Sequence, residues 1–252
     1  MEVMHNREHG LRIASPNAIG QGCSVSRKLR DLNRFFADQF LYPLLLSTAL
    51  AGGIYVFRVL YSGRSYYDNL PWNLFLAWVP YICTLWAAAW YRLYPGRWGM
   101  LLLPGVLWLV FFPNAPYIVT DFYHLERRPP IPLWYDIGLI ATFALTGCFL
   151  AIASLRTMQS LVRRYANGVV SWVFVAIALG LGGVGVYLGR FKRWNSWDLF
   201  LHPDRVLQDL ATPLINPLNN LRFVGFSLMF TAILLVIYLM FTSVTKAKEI
   251  DL

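Results

Sequence analysis

Six runs of residues without a charged side chain limit what this chain can become more than any other feature. They are Gln39–Phe57, Trp72–Tyr91, Trp98–Thr120, Ile137–Leu155, Val169–Gly189 and Phe223–Thr245, each 19 to 23 residues long. A helix needs about 20 apolar residues to cross a hydrocarbon core roughly 30 Å thick. Lipid offers no water to satisfy free N–H and C=O groups, so each run must pair its backbone internally. The runs are continuously apolar and lack the alternation of a membrane barrel strand. The sequence therefore predicts an all-α fold, a polytopic transmembrane helix bundle of six spans over residues 39–245, with the lipid bilayer as its first partner. Charge content agrees: 57% of the residues are hydrophobic and 14% charged, against about a quarter charged in soluble domains.

The flanks set the orientation. Residues 1–25 are polar and interrupted by Gly10, Pro16, Gly20 and Gly22, and are expected to form a disordered cytoplasmic tail. The first forty residues contain no apolar core of signal-peptide length, so the first span is expected to act as the insertion signal. Residues 26–38, SRKLRDLNRFFAD, interleave bases with Leu29, Leu32, Phe35 and Phe36 at helical spacing. That pattern predicts a basic amphipathic interfacial helix on the anionic cytoplasmic leaflet. Such a helix and the loops account for the net charge of +9, and nucleic acid is not expected as a partner. With the amino terminus inside, inner segments hold thirteen Lys and Arg and outer loops eight, with Arg58 inside a span end. The positive-inside rule then predicts both termini in the cytoplasm, 246–252 being a short tail. Cys23, Cys83 and Cys148 show no metal spacing and no disulfide framework.

Candidate chemistry gathers in two stretches expected on one membrane face. The third span ends FFPNAPYIVTDFYHL, from Phe111 to Leu125. Pro113 and Pro116 each remove a backbone donor and clash with the preceding turn, so the helix is expected to be interrupted between Phe112 and Tyr117. Asn114 is expected to point into protein, either bracing a structural kink or lining a cavity. Beyond it, Tyr117, Asp121 and His124 stand at i, i+4 and i+7, one face of an α-helix. Asp121 and His124 could supply a general base or metal ligands. The plain alternative is a first-turn aspartate and a solvated histidine. Which metal, if any, and which cofactor are left open by the residues.

The fifth span ends GVYLGRFKRWNSWDLFLHPDR. Arg190, Lys192 and Arg193 crowd a side where bases are disfavoured, beside Trp194 and Trp197, a combination suited to phosphate headgroups. Snorkelling bases in an aromatic belt are the plain alternative. Asn195 and Asp198 carry capping-box spacing. The pair Asp198 and His202 is discounted because Pro203 follows, and Pro203 is expected to open a short helix through Leu210, followed by a loop. Gly180, Gly182, Gly183, Gly185 and Gly189 predict close helix packing.

At FFPNAPYIVTDFYHL and LGRFKRWNSWD the chain resembles a family of bacterial multi-pass membrane proteins, domain of unknown function 1361, over about Leu41 to Phe241. The resemblance implies a bacterial inner membrane and no reaction. The leading expectation is a polar site at the extracytoplasmic interface that binds or modifies an anionic envelope lipid or lipid-linked substrate. Asp121 and His124 are its catalytic candidates. Asn114, Tyr117, Arg190, Arg193, Asn195 and Asp198 are its substrate-binding candidates. A transporter built on the broken third and Gly-rich fifth helices is one alternative, and a structural partner of a membrane complex is another.

Overall fold

The computed structural model describes residues 29–250, with side chains described to residue 244. The tail expected over 1–25, and 26–28 of the interfacial segment, lie outside the described residues. The chain divides into two compact units, residues 1–42 and 43–252. In the first, helix α1 (29–38) holds Leu29 and Leu32 exposed and ends where Phe40 adopts φ 61°. The Tyr42 hydroxyl donates to Asn33 Oδ1.

The second unit contains the membrane bundle. Its helices are α2 (Leu41–Ser62), α3 (Asn69–Leu93), α4 (Leu102–Phe111), α5 (Asn114–Tyr117), α6 (Leu133–Tyr165), α7 (Gly168–Tyr187), α8 (Asp198–Leu201), α9 (Pro203–Ile215) and α10 (Leu221–Ile250). Six stretches are long and apolar enough to cross a membrane: Leu41–Ser62, Asn69–Leu93, Trp98–His124, Leu133–Tyr165, Gly168–Lys192 and Pro217–Val244. Each contains most of one expected window. The longest, α6, is also the most buried, and packs against α3 and α7, while α10 packs chiefly on α7. Asn167 starts α7 by accepting from Val170 N through its side chain at 2.8 Å, an N-cap that satisfies one orphan donor. α10 continues as helix through residues 246–250 of the expected tail.

Two of the charges that bound the expected windows lie inside helices and pair with each other. Arg58 lies inside α2 and Asp136 inside α6, at 1% and 0% exposure. Arg58 Nε donates to Asp136 Oδ1 at 2.7 Å and Nη2 to Oδ2 at 3.1 Å. The Tyr67 ring lies 4.7 Å from the guanidinium, and its hydroxyl reaches Asp136 at 3.5 Å. A paired, bidentate guanidinium is tolerated where a lone one is not. Charges that mark the windows' ends thus become one internal contact.

The third span is interrupted where its prolines fall. Phe112 and Pro113 separate α4 from α5 yet keep helical dihedrals (φ −52°, ψ −41° and φ −61°, ψ −24°), so the chain kinks without unwinding. Ala115 N reaches back only to Phe112 O, at 3.2 Å. Residues Ile118–His124 then wind as a tighter 3-10 turn.

The glycines of the fifth span pack as expected, with one exception. A Cβ on Gly185 would stand 2.5 Å from the Pro113 ring, and one on Gly189 3.1 Å from the Tyr117 ring, so two glycines four apart seat the kinked segment. On the same helix, a Cβ on Gly183 would meet Ser227 O at 2.5 Å. Gly180 meets nothing within 4 Å and takes no part. Pro203 does open a helix, but α9 runs to Ile215 through Pro213, and Pro217–Asn220 forms a further turn. The expected loop is therefore largely helical.

Candidate functional site

The kink and the end of α7 enclose a cavity of about 880 Å³, at the upper end of the usual range for ligand sites. Its apolar wall includes Leu76, Leu109, Val110, Leu181 and Val184. Asn73, Asn114, His124, Asn195 and Ser196 supply polar atoms, and Arg190, Arg193 and Arg222 supply charge. No Asp or Glu lines it among the described residues.

Local winding puts Arg190 and Arg193 there, and the first turn of α10 brings Arg222. After Tyr187 the helix widens into a π turn, Leu188–Lys192, and Arg193 ends it in the left-handed region at φ 59°. π turns inside helices are uncommon and concentrate at functional sites. Arg190 Nη1 meets His124 Nε2 at 2.9 Å, and its guanidinium lies 4.5 Å from the Tyr123 ring centre. A guanidinium has no acceptor, so the imidazole accepts at Nε2 and carries its proton on Nδ1. Arg222 lies over Phe191 at 4.3 Å. Arg193 is exposed; its backbone N–H donates to Leu188 O, and its side chain makes no hydrogen bond or ion pair among the described residues.

The two motif-bearing stretches meet at a second point. Asn114 Nδ2 donates to Ser196 Oγ at 2.9 Å, and Ser196 Oγ donates to Val110 O at 2.9 Å. The carbonyl loosened by the kink is thus satisfied from the other stretch, and Asn114 faces protein. Tyr117 lines the cavity against Gly189.

Tyr117, Asp121 and His124 do not share the single face expected of an α-helix. At three residues per turn, Tyr117 is rotated about 120° from Asp121. Asp121 is 2% exposed and accepts from Asn69 Nδ2 at 3.0 Å and Asn73 Nδ2 at 2.9 Å, both on α3. Asp121 and His124, three apart, eclipse on such a turn, yet their hydrogen bonds go to different elements, α3 and the π turn. Asp198 stands outside the cavity lining and turns back to Asn195, accepting from its N at 2.7 Å and its Nδ2 at 3.3 Å. That is the reach-back half of the expected capping box; in the other half the Asp198 N–H donates to the Asn195 backbone O at 3.0 Å instead of to its side chain. Among the described residues no group of three His, Cys, Asp or Glu is placed to hold a metal ion.

Asn69, Asn73, Tyr123 and Arg222 were missed as site residues. Asn73 was detectable as an amide four residues beyond Asn69 at the start of an apolar span, a costly placement unless partnered.

Helix α9 is tied to the π turn through Asp209, which accepts from Lys192 Nζ at 2.9 Å and Trp194 Nε1 at 2.7 Å. These hydrogen bonds, Lys192 first, hold the Asp209 carboxyl below its ordinary range. The unfolded chain then binds this proton more tightly, so the tie is present above about pH 3.9 and is lost as pH falls through the lower folded value. Hydrogen exchange at Val206–Leu210, corrected for intrinsic rates, should rise below about pH 4. Asp209→Asn should show that faster exchange already at neutral pH. Unchanged exchange in both cases would show that the tie does not hold α9.

The bundle and its one-ended polar cavity define a multi-pass integral membrane protein. The protein-family model described as Protein of unknown function (DUF1361) matches residues 72–237, and the chain belongs to that family. The match contains both motif stretches and Asp136 but begins at the second span, so it is narrower than the extent expected from Leu41 and leaves out Arg58. No curated protein and no solved structure matches the chain.

Proposed function

We propose that this protein binds the anionic headgroup of an envelope lipid or lipid-linked substrate in the arginine cavity. The cavity opens at the extracytoplasmic interface of a bacterial inner membrane, and both termini are cytoplasmic. The observation that carries the reading is three arginines and no carboxylate among the described lining residues of a cavity with an apolar wall. Arginines that form no ion pair among the described residues favour a phosphate-class ligand at a membrane interface, which they bind by charge-assisted hydrogen bonds. His124 orients Arg190, and Asp121 orients Asn73 at the cavity wall. The reading is one of binding: the Asp121 carboxylate is taken up by Asn69 and Asn73, and His124 Nε2 by Arg190.

The test uses the full chain in phosphatidylcholine nanodiscs with phosphatidic acid as probe, read by native mass spectrometry. Hydrogen bonds to charged groups contribute about 1.5–3 kcal/mol each. Arg193→Gln and Arg222→Gln should therefore each weaken phosphatidic acid binding by about 10-fold or more. Equal binding by wild type and both variants would sink the reading. Orientation is checked by cysteine labelling on a background without native cysteines. Position 64 should label from the periplasmic side, and positions 163 and 249 only after permeabilisation. Labelling of position 249 from outside would reverse the topology.

A further inference from the structure

We infer that the ligand of the arginine cavity keeps its hydrocarbon chain, and that the chain leaves the cavity beneath α9 through a separate apolar slot. This rests on the reading of the arginines as a headgroup site. The slot is a second cavity of about 260 Å³ whose lining includes Val184, Pro213, Leu214, Phe223, Val224 and Leu228. Val184 belongs to the walls of both cavities, so one side chain of α7 stands between the arginine chamber and the slot. The first turn of α10 joins them again, for Arg222 faces the chamber and the next residue, Phe223, lines the slot. A headgroup on Arg222 therefore stands within a residue of an apolar channel.

The outer end of the slot faces lipid. Leu214 and Leu228 are 59% and 63% exposed, and Leu228 lies within the apolar span Pro217–Val244. Helix α9 has the three-sided pattern that such a roof needs. At about 100° per residue, Val206, Leu210 and Pro213 point inward, Asp204, Arg205, Gln208 and Thr212 form a polar side, and Leu207, Ala211 and Leu214 form a second apolar side. The inward positions match the structure: Val206 and Pro213 are buried, and Val206 and Leu210 line the chamber. Leu207 is 54% exposed. A helix with a water side, an apolar outer side and an apolar inner side lies in the interface plane. Its inner side then covers one polar chamber and one greasy exit. A soluble anion has no use for the exit, whereas a lipid phosphate fills both parts.

The experiment uses phosphatidic acid carrying a diazirine midway along one chain, in phosphatidylcholine nanodiscs with the full-length protein. Photolabel should map to Pro213, Val224 and Leu228. Arg193→Gln with Arg222→Gln should lower it at least tenfold, and so should excess unlabelled phosphatidic acid. Excess phosphatidylcholine or inorganic phosphate should leave it unchanged. Val224→Trp, which fills the slot, should remove the label there while arginine-dependent protection by phosphatidic acid persists at His124. If that variant does not fold, the competition series on the wild-type protein decides alone. Label spread evenly over the lipid-facing spans, with arginine-dependent phosphatidic acid binding retained, overturns the chain path and spares the headgroup reading. Protection by inorganic phosphate equal to that by the lipid overturns it as well, assigning the chamber to a soluble anion. Binding that ignores both arginines overturns the headgroup reading and the inference together.

Discussion

Asp136→Ala is expected to abolish most of the folded protein recovered from membranes. It leaves the Arg58 guanidinium, 1% exposed within α2, without its bidentate partner. Removing one member of a buried pair costs about 3–5 kcal/mol, because an uncompensated charge stays in apolar surroundings. Native stability is itself only about 5–15 kcal/mol, so the loss is large. Replacing both members, Arg58→Met with Asp136→Leu, removes the charges together and should recover much of the yield, since a buried pair adds little over well-packed apolar groups. Thermal unfolding in detergent across the single and double variants measures this. A single variant that melts like the wild type would show that the pair is not a staple.

Gly147→Ala is expected to have the second largest effect. A Cβ there would stand 2.3 Å from Ala115 O and 3.0 Å from Ile118 Cδ1, so α6 and the kinked segment would have to separate. The nearest obstacle is backbone and does not swing aside as a side chain would. Overpacking of this kind costs about 1–3 kcal/mol, occasionally more, and the segment displaced carries Asn114 and Tyr117. The control is Gly138→Ala on the same helix, where nothing lies within 4 Å. Gly138→Ala should be neutral or should stabilise by up to about 1 kcal/mol through helix propensity. A melting temperature lowered by Gly147→Ala and not by Gly138→Ala is the expected result; equal melting of the two would refute the close approach. Phosphatidic acid binding should fall with Gly147→Ala as well, because Asn114 and Tyr117 line the chamber.

Much of the candidate site was legible before any coordinates. Pro113 and Pro116 announced the kink because proline cannot donate to the helix ladder. The glycines at 183, 185 and 189 announced close packing because they carry no side chain to hold helices apart. Asn114, Tyr117, Arg190, Arg193 and Asn195, chosen from two distant stretches, line one cavity with His124. The face shared by Tyr117, Asp121 and His124 failed for a local reason. An α period would align all three, whereas the backbone past the prolines winds as a 3-10 turn, which rotates Tyr117 about 120° from Asp121 and keeps Asp121 and His124 in line. Leu188–Lys192 likewise winds wider than α.

The sequence by itself determined the six spans and membership of the bundle in its family. Those follow from quantities that accumulate along the chain, namely apolar length against bilayer thickness and the residues of two continuous motifs. Tertiary structure alone decided which polar group each of these charges meets: buried Arg58 with Asp136, buried Asp121 with Asn69 and Asn73, and half-exposed Arg190 with His124. It also decided that the chamber's described lining holds arginines without carboxylates. Partner choice depends on how each helix is turned about its own axis. One residue of α-helix is about 100° of rotation, so a kink, a tight turn or a wide turn redirects every side chain beyond it without changing where the chain crosses the membrane.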